Sequence, residues 1–187
     1  MDDRPFDPAP PSIVYRPLSI VVLGLGNPIL GDDGVGWRVV ERAESSWLAC
    51  HSEPRRGEES LSAPHSNNVD VEFDFVSLGG LALMERLVGY DRAVLADAIQ
   101  TRDGVPGAIY RLTLDDLPTL HADAVHDASL KAALTMGRQL GARLPEQIVI
   151  YAIEALNLLD FSENLSPPVA ASVGRAAEMV LAELAVG

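Results

Sequence analysis

The chain has 187 residues, enough for one domain around a single core. It is strongly acidic, with 14 Lys+Arg against 27 Asp+Glu for a net charge of −13, which disfavours nucleic acid and anionic membrane as partners. One cysteine, Cys50, precludes an intrachain disulfide and fits a reducing compartment.

Residues 1–17 carry Pro5, Pro8, Pro10, Pro11 and Pro17 and read as an extended arm ahead of a domain over 18–187. The arm has no apolar stretch of the kind a signal peptide uses, and no segment approaches the roughly 20 apolar residues of a membrane span, so the cytoplasm is the expected location. Ile20–Leu23 is a short apolar run with β-branched residues that predicts a buried strand ending at Gly24. A Gly-rich turn follows to Gly36, and Val39, Val40 and Ala43 then fall on one face of a helix from Val35 to Glu44. Residues 45–68 are rich in Ser, Glu, Arg, Pro and Asn and read as a surface insertion.

Val69–Phe75 alternates apolar and acidic residues, the pattern of a half-buried strand near a sheet edge. Gly79-Gly80 turns the chain into a short helix, Leu81–Leu87. Ala93–Ala96 reads as a buried strand ending at Asp97, and Pro106-Gly107 leads into a strand from Ala108 to Leu114. Leu130, Ala133, Leu134 and Leu140 mark a helix closed by Gly141. Ile148–Ile153 is the last strand, and Ser166-Pro167-Pro168 opens a helix that continues through Val169, Val173, Ala177, Val180 and Leu184. Strands alternate with helices, which predicts a three-layer α/β/α sandwich around a five-stranded, mostly parallel sheet. The Pro-Gly turn after Asp97 points to one antiparallel strand, hence a mixed sheet.

Ligands of open α/β sheets bind outside the carboxyl ends of the strands. Two acidic features fall there, Asp32-Asp33 after the first strand and Asp97 after the third. The segment Gly24-x-Gly26-Asn27 to Asp32-Asp33-Gly34-x-Gly36 is not a dinucleotide fingerprint, because Gly31 comes two residues late and two carboxylates at a helix start repel phosphate. Either aspartate of the pair can cap the following helix while the other faces a cleft. Asp97 can equally serve to bond neighbouring backbone amides. Of four histidines, His51 and His65 fall in the polar insertion and are expected at the surface, and His121 and His126 precede a helix. Cys50 adjoins His51, but adjacency in sequence is not the geometry of a catalytic Cys–His pair. Carboxylates together with His126 form a plausible nickel or zinc ligand set, and spacing alone does not bring them together.

These residues resemble a known family. Gly24-x-Gly26-Asn27 followed by Asp32-Asp33-Gly34-x-Gly36 is similar to the opening signature of the hydrogenase maturation proteases. So are Asp97-Ala98 with Pro106-Gly107, His126 with Leu130 and Leu134, and Leu165-Ser166-Pro167. The resemblance runs from about Ser19 to Leu184 in the family's order. It implies an endopeptidase that removes the C-terminal extension of a [NiFe] hydrogenase large-subunit precursor after nickel insertion. Asp33 and Asp97 would then be the catalytic acids, and Asp33, Asp97 and His126 would contact the nickel. That nickel would arrive with the substrate instead of being held permanently. Gly24, Gly26, Asn27, Asp32, Gly34 and Gly36 would form the surrounding substrate loop, Asn27 and the loop amides being candidates to stabilise an oxyanion. Nickel polarising the scissile carbonyl and an aspartate acting as general base both remain open. A monomer is expected. The alternatives are another metal-dependent hydrolase of the same fold, a non-catalytic hydrogenase assembly chaperone, and a nucleotide-binding protein.

Overall fold

The computed structural model describes residues 17–51, 69–77, 79–116 and 127–185. Five strands form one sheet: β1 (Leu18–Leu25), β2 (Val69–Val76), β3 (Arg92–Ile99), β4 (Ile109–Thr113) and β5 (Gln147–Glu154). The spatial order is β2-β1-β3-β5-β4. All pairings are parallel except β4 with β5. Helices α1 (Val35–His51) and α4 (Pro167–Ala185) pack on one face, and α2 (Gly80–Arg86) and α3 (Asp127–Gln139) on the other. The expected α/β/α sandwich with a mixed sheet is therefore the architecture found.

The period-2 rule of strands divides the core. Ile20 and Val22 of β1 pack with Val94 and Ala96 of β3 beneath α1 and α4. Val21, Leu23 and Leu25 pack with Ala93 and Leu95 beneath α2 and α3. Because α2 has only seven residues, it covers β1 and β3 but leaves one face of β2 in water. This explains the alternation in β2. Val69, Val71, Phe73 and Phe75 pack towards α1, while the acidic residues of the other face meet solvent and their neighbours. Glu72 accepts a hydrogen bond from Tyr90 at 2.5 Å, and Asp74 pairs with Arg86 at 2.9 Å. Burial and the nearby Glu72 push the Tyr90 hydroxyl up to about 12.

Several boundaries differ from those the sequence predicts. Helix α1 continues to His51, so the insertion begins later than residue 45. The extension is held by Trp47, which stacks on His51 at 3.9 Å and packs towards Phe73. Strand β3 runs two residues past Asp97 to Ile99, because Ala98 and Ile99 are also buried against β5. The arm over 1–16, the remainder of the insertion, and His65, His121 and His126 lie outside the described residues. Among the described residues, no helix is long and apolar enough to cross a membrane.

An ionic cluster around the buried Glu183 ties α4 to the sheet. Glu183 accepts two bonds from Arg111 of β4, both at 3.0 Å, and one from the Tyr151 hydroxyl of β5 at 3.0 Å. Arg92 of β3 approaches to 3.5 Å. The Arg111 guanidinium holds the Glu183 carboxyl below the usual carboxylate range, against the opposing effect of burial.

Two predictions follow from this packing. A Cβ at Gly36 would lie 2.3 Å from the Ala96 carbonyl and 2.4 Å from that of Leu25, both immovable backbone, whereas one at Gly174 in α4 meets nothing within 4 Å. Gly36→Ala should therefore cost about 3 kcal/mol or more in urea unfolding, and Gly174→Ala should add about 0.5–1 kcal/mol through helix propensity. The second concerns acid. Glu183 has a folded pKa below its unfolded value of about 4.3, so its contribution is complete above that value and lost as pH falls through the folded one. Glu183→Gln should lower stability at pH 7 and flatten the acid limb of a stability-versus-pH curve.

Candidate active site at the switch point

Strand β1 pairs with β2 on one side and with β3 on the other. The chain leaving β1 turns to one side of the sheet, and the chain leaving β2 crosses to the opposite side. The carboxyl ends of β1 and β3 thus flank a topological switch point, where open α/β sheets leave a crevice. Asp33 follows β1 there, in a single 3-10 turn over Gly31–Gly34. Asp97 stands on β3, and extending the Gly24–Ala96 register by one residue places it beside Leu25.

Glycines let the turn close down on the strand ends. Gly26 has φ +107°, and a Cβ on it would sit 1.9 Å from the Asp33 carbonyl oxygen. A Cβ on Gly24 would lie 2.8 Å from the Gly36 carbonyl oxygen, and one on Gly34 would lie 2.8 Å from the Pro28 Cα. Only glycine permits this approach of α1 to the β1–β3 seam.

The two acids of the pair have different surroundings. Asp32 is 1% exposed. Its carboxylate accepts four bonds: from the Leu156 amide at 2.9 Å, the Asn157 amide at 3.2 Å, the Ser166 amide at 2.6 Å and the Ser166 hydroxyl at 2.8 Å. It therefore clamps both ends of the loop joining β5 to α4, and does not cap α1. Asp33 is half-buried and has a different partner, accepting one short bond from the Asn27 amide at 2.6 Å through Oδ2. The second oxygen of Asp33 is left free of bonds to the described residues.

The loop amides are largely committed. Gly26 donates to Val76, Asn27 to Asp33, Leu30 to Asn27, Gly31 to Ser162, Asp32 to Asn157 and Asp33 to Leu30. The side-chain oxygen of Asn27 accepts from Ile29 at 3.2 Å. An oxyanion site built from these amides, expected from the sequence, would have to break one of these bonds.

Asp97 is buried, and its Oδ1 accepts the amide of Ala98 at 2.8 Å, as the backbone-bonding reading expects. Alternation from Leu95 puts it on the sheet face that α2 and α3 cover. Helix α3 ends beside the start of β5, where Arg138 donates to the Pro145 carbonyl, so the helix begins at the carboxyl edge of the sheet. His126 is the residue immediately before that helix. Its own position lies outside the described residues, and among those residues no group of three His, Cys, Asp or Glu is gathered as a metal site. His51 accepts or donates within α1 and is exposed, as is Cys50, and neither belongs to this edge.

Two contributors escape sequence reasoning. Glu154, at the end of β5, is buried and accepts the amide and hydroxyl of Thr101 at 2.7 and 3.0 Å, pinning the segment after β3. A Cβ on Gly104 would land 2.0 Å from that carboxyl carbon, so the segment lies directly over it. The other is the 156–166 loop, whose apolar residues carry no periodicity. Its one sequence signal is Leu165-Ser166-Pro167, whose serine proves to be the partner of Asp32.

A family model described as hydrogenase maturation protease matches residues 72–183, more than half of the chain. The chain belongs to the hydrogenase maturation protease family. It is 28% identical over 169 residues to the hydrogenase 2 maturation protease of Escherichia coli, covering 89% of this chain and 91% of that protein. It is 26% identical over 170 residues to the hydrogenase expression/formation protein HupD of Thiocapsa roseopersicina, covering 89% and 67%. The solved structure of the E. coli hydrogenase maturating endopeptidase HybD superposes with a TM-score of 0.65 at 26% identity, covering 89% of this chain and 92% of that one. HybD of Thermococcus kodakarensis, at 21% identity and a TM-score of 0.58, shares the fold. The maturation-protease family and the mixed-sheet α/β fold therefore stand together.

The unequal roles of the acidic pair are measurable. Asp32→Asn turns an amide NH2 towards backbone donors and should cost about 3 kcal/mol in urea unfolding. Asp33→Asn keeps an acceptor for the Asn27 amide and should cost less than about 1 kcal/mol.

Proposed function

We propose that this protein is the endopeptidase that removes the C-terminal extension of a [NiFe] hydrogenase large-subunit precursor once nickel has been inserted. The observation that supports the reading is that Asp33 lies in the turn following β1 and Asp97 on the neighbouring strand β3, in a chain of the maturation-protease family. The relatives' own names support the substrate: a hydrogenase 2 maturation protease and a hydrogenase maturating endopeptidase.

In this reading the nickel belongs to the precursor. Asp33, Asp97 and His126 contact it, two carboxylates and one imidazole leaving positions for the precursor's own ligands. The free oxygen of Asp33 is the group best disposed to meet it, because the other is tied to Asn27. Contact with the metal couples cleavage to completed assembly, since a loaded precursor binds more tightly than an empty one. Water then hydrolyses the scissile amide: its oxygen bonds to the carbonyl carbon, the C–N bond breaks, and its protons end on the new carboxyl group and the departing amine. The same reading has the protein act as a monomer in the cytoplasm, holding no nickel of its own between turnovers.

The test uses the purified protein with nickel-loaded and nickel-free precursor and intact mass spectrometry of the products. Only the loaded precursor should lose its C-terminal peptide. Asp33→Asn and Asp97→Asn should each lower kcat/KM by roughly a hundredfold or more, the size expected when a reacting group is lost. Equal cleavage of both precursors would remove nickel recognition from the account. Stoichiometric metal in the purified protein would favour a hydrolase with a permanent metal. Normal processing by both variants would favour an assembly chaperone.

A further inference from the structure

The loop that Asp32 clamps carries exposed apolar side chains that the site itself does not use. Four large apolar side chains stand open to solvent on two segments bonded together beside the switch point. Ile29 is 47% exposed, Leu156 54%, Leu159 83% and Phe161 86%. The segments are joined by a parallel bridge between Leu30 and Ser162, by the Gly31 amide donating to the Ser162 carbonyl at 2.7 Å, and by the Ser162 amide donating to the Ile29 carbonyl at 3.1 Å. Asn157 and Asp160 bond to each other within the loop, and the Leu159 amide donates to the Asn157 side-chain oxygen at 3.0 Å. The apolar groups are thus presented by a braced loop, and one of them, Leu156, lines a cavity of about 290 Å³ whose wall also includes Asp32.

We propose that this loop and Ile29 form the docking surface for the precursor, receiving an apolar segment of its polypeptide that carries a basic side chain. The proposal rests on the reading of Asp33 and Asp97 as the substrate-facing acids. Three observations carry it. The patch adjoins the site, since Asp32 holds the loop and Asp33 is the next residue of the same turn. Clustered, exposed Phe and Leu on a braced loop mark an interaction surface, whereas scattered apolar residues do not. The loop's only charges are Asp160 and Glu163, both exposed and acidic, so the complementary partner is apolar with a cation at its rim. An anionic membrane surface does not fit a protein of net charge −13.

The double variant Leu159→Ser/Phe161→Ser decides the matter, with nickel-loaded precursor as the probe and steady-state cleavage as the readout. Both side chains are almost wholly exposed, so the melting temperature should stay at the wild-type value. KM should rise roughly tenfold or more, as for loss of an interface anchor, with kcat within about twofold of wild type. Glu163→Lys should raise KM as well and weaken its dependence on salt. Leu140→Ser, 79% exposed at the opposite end of the sheet, should change neither parameter. Wild-type cleavage together with an unchanged KM in the double variant would overturn the docking assignment and leave the proposed activity standing. Failure of the wild type to cleave loaded precursor would overturn both. A wild-type dimer that the double variant dissociates with KM unchanged, seen by sedimentation, would assign the patch to a second copy of this chain and overturn the proposal.

Discussion

Everything at the carboxyl edge depends on how closely helix α1 can approach the seam between β1 and β3. Gly24 and Gly36 bring backbone against backbone, and Gly26 accepts the Asp33 carbonyl where any side chain would stand. That approach puts the 3-10 turn directly above the strand ends, and it fixes the turn before any side chain is considered. An aspartate in that turn is held at the carboxyl end of β1, beside the strand that carries Asp97. The cost is borne in conformational entropy, since the glycines lose the most freedom on folding.

The acidic pair then divides its labour. One carboxylate is buried and binds four donors from the far end of the chain, and the other, half-buried, accepts one bond and keeps an oxygen free among the described residues. Adjacent residues in a tight turn can take different partners, so a pair can serve structure and chemistry at once. The buried member joins the first and last strands' loops, making the site's rim a product of contacts between residues over a hundred positions apart. A site assembled in this way is present only when the whole sheet is formed.

Much of this was legible in the sequence, and the reasons are particular. Ile20–Leu23 and Ile148–Ile153 are apolar on both sides because their strands are covered on both faces, and Val69–Phe75 alternates because α2 is too short to cover it. The glycine spacing announced the turn, and the motif resemblance announced the family. What stayed hidden was long-range. Nothing local in Asp32 tells it apart from Asp33, because the four donors that define its role come from Leu156, Asn157 and Ser166. Strand β3 appeared to stop at Asp97 because a carboxylate reads as a strand end, yet pairing with β5 carries the strand on to Ile99. Helix α1 outran its apolar stripe because Trp47 found Phe73 across the layer. The length of a helix beyond its buried face is decided by such tertiary contacts and not by its own pattern.

The alternation of β2 has a consequence for assembly. Among the described residues the strand lies at the border of the sheet with one ladder side unpaired, the arrangement that ordinarily recruits another strand. Asp70, Glu72 and Asp74 stand at every second position along it. A second copy laid against that border would bring two rows of carboxylates within cross-strand reach, where like charges repel. The acids that solvate one face of β2 therefore also disfavour growth of the sheet by a second copy. Charge on alternate positions of an edge strand thus works against strand addition as well as keeping one face hydrated.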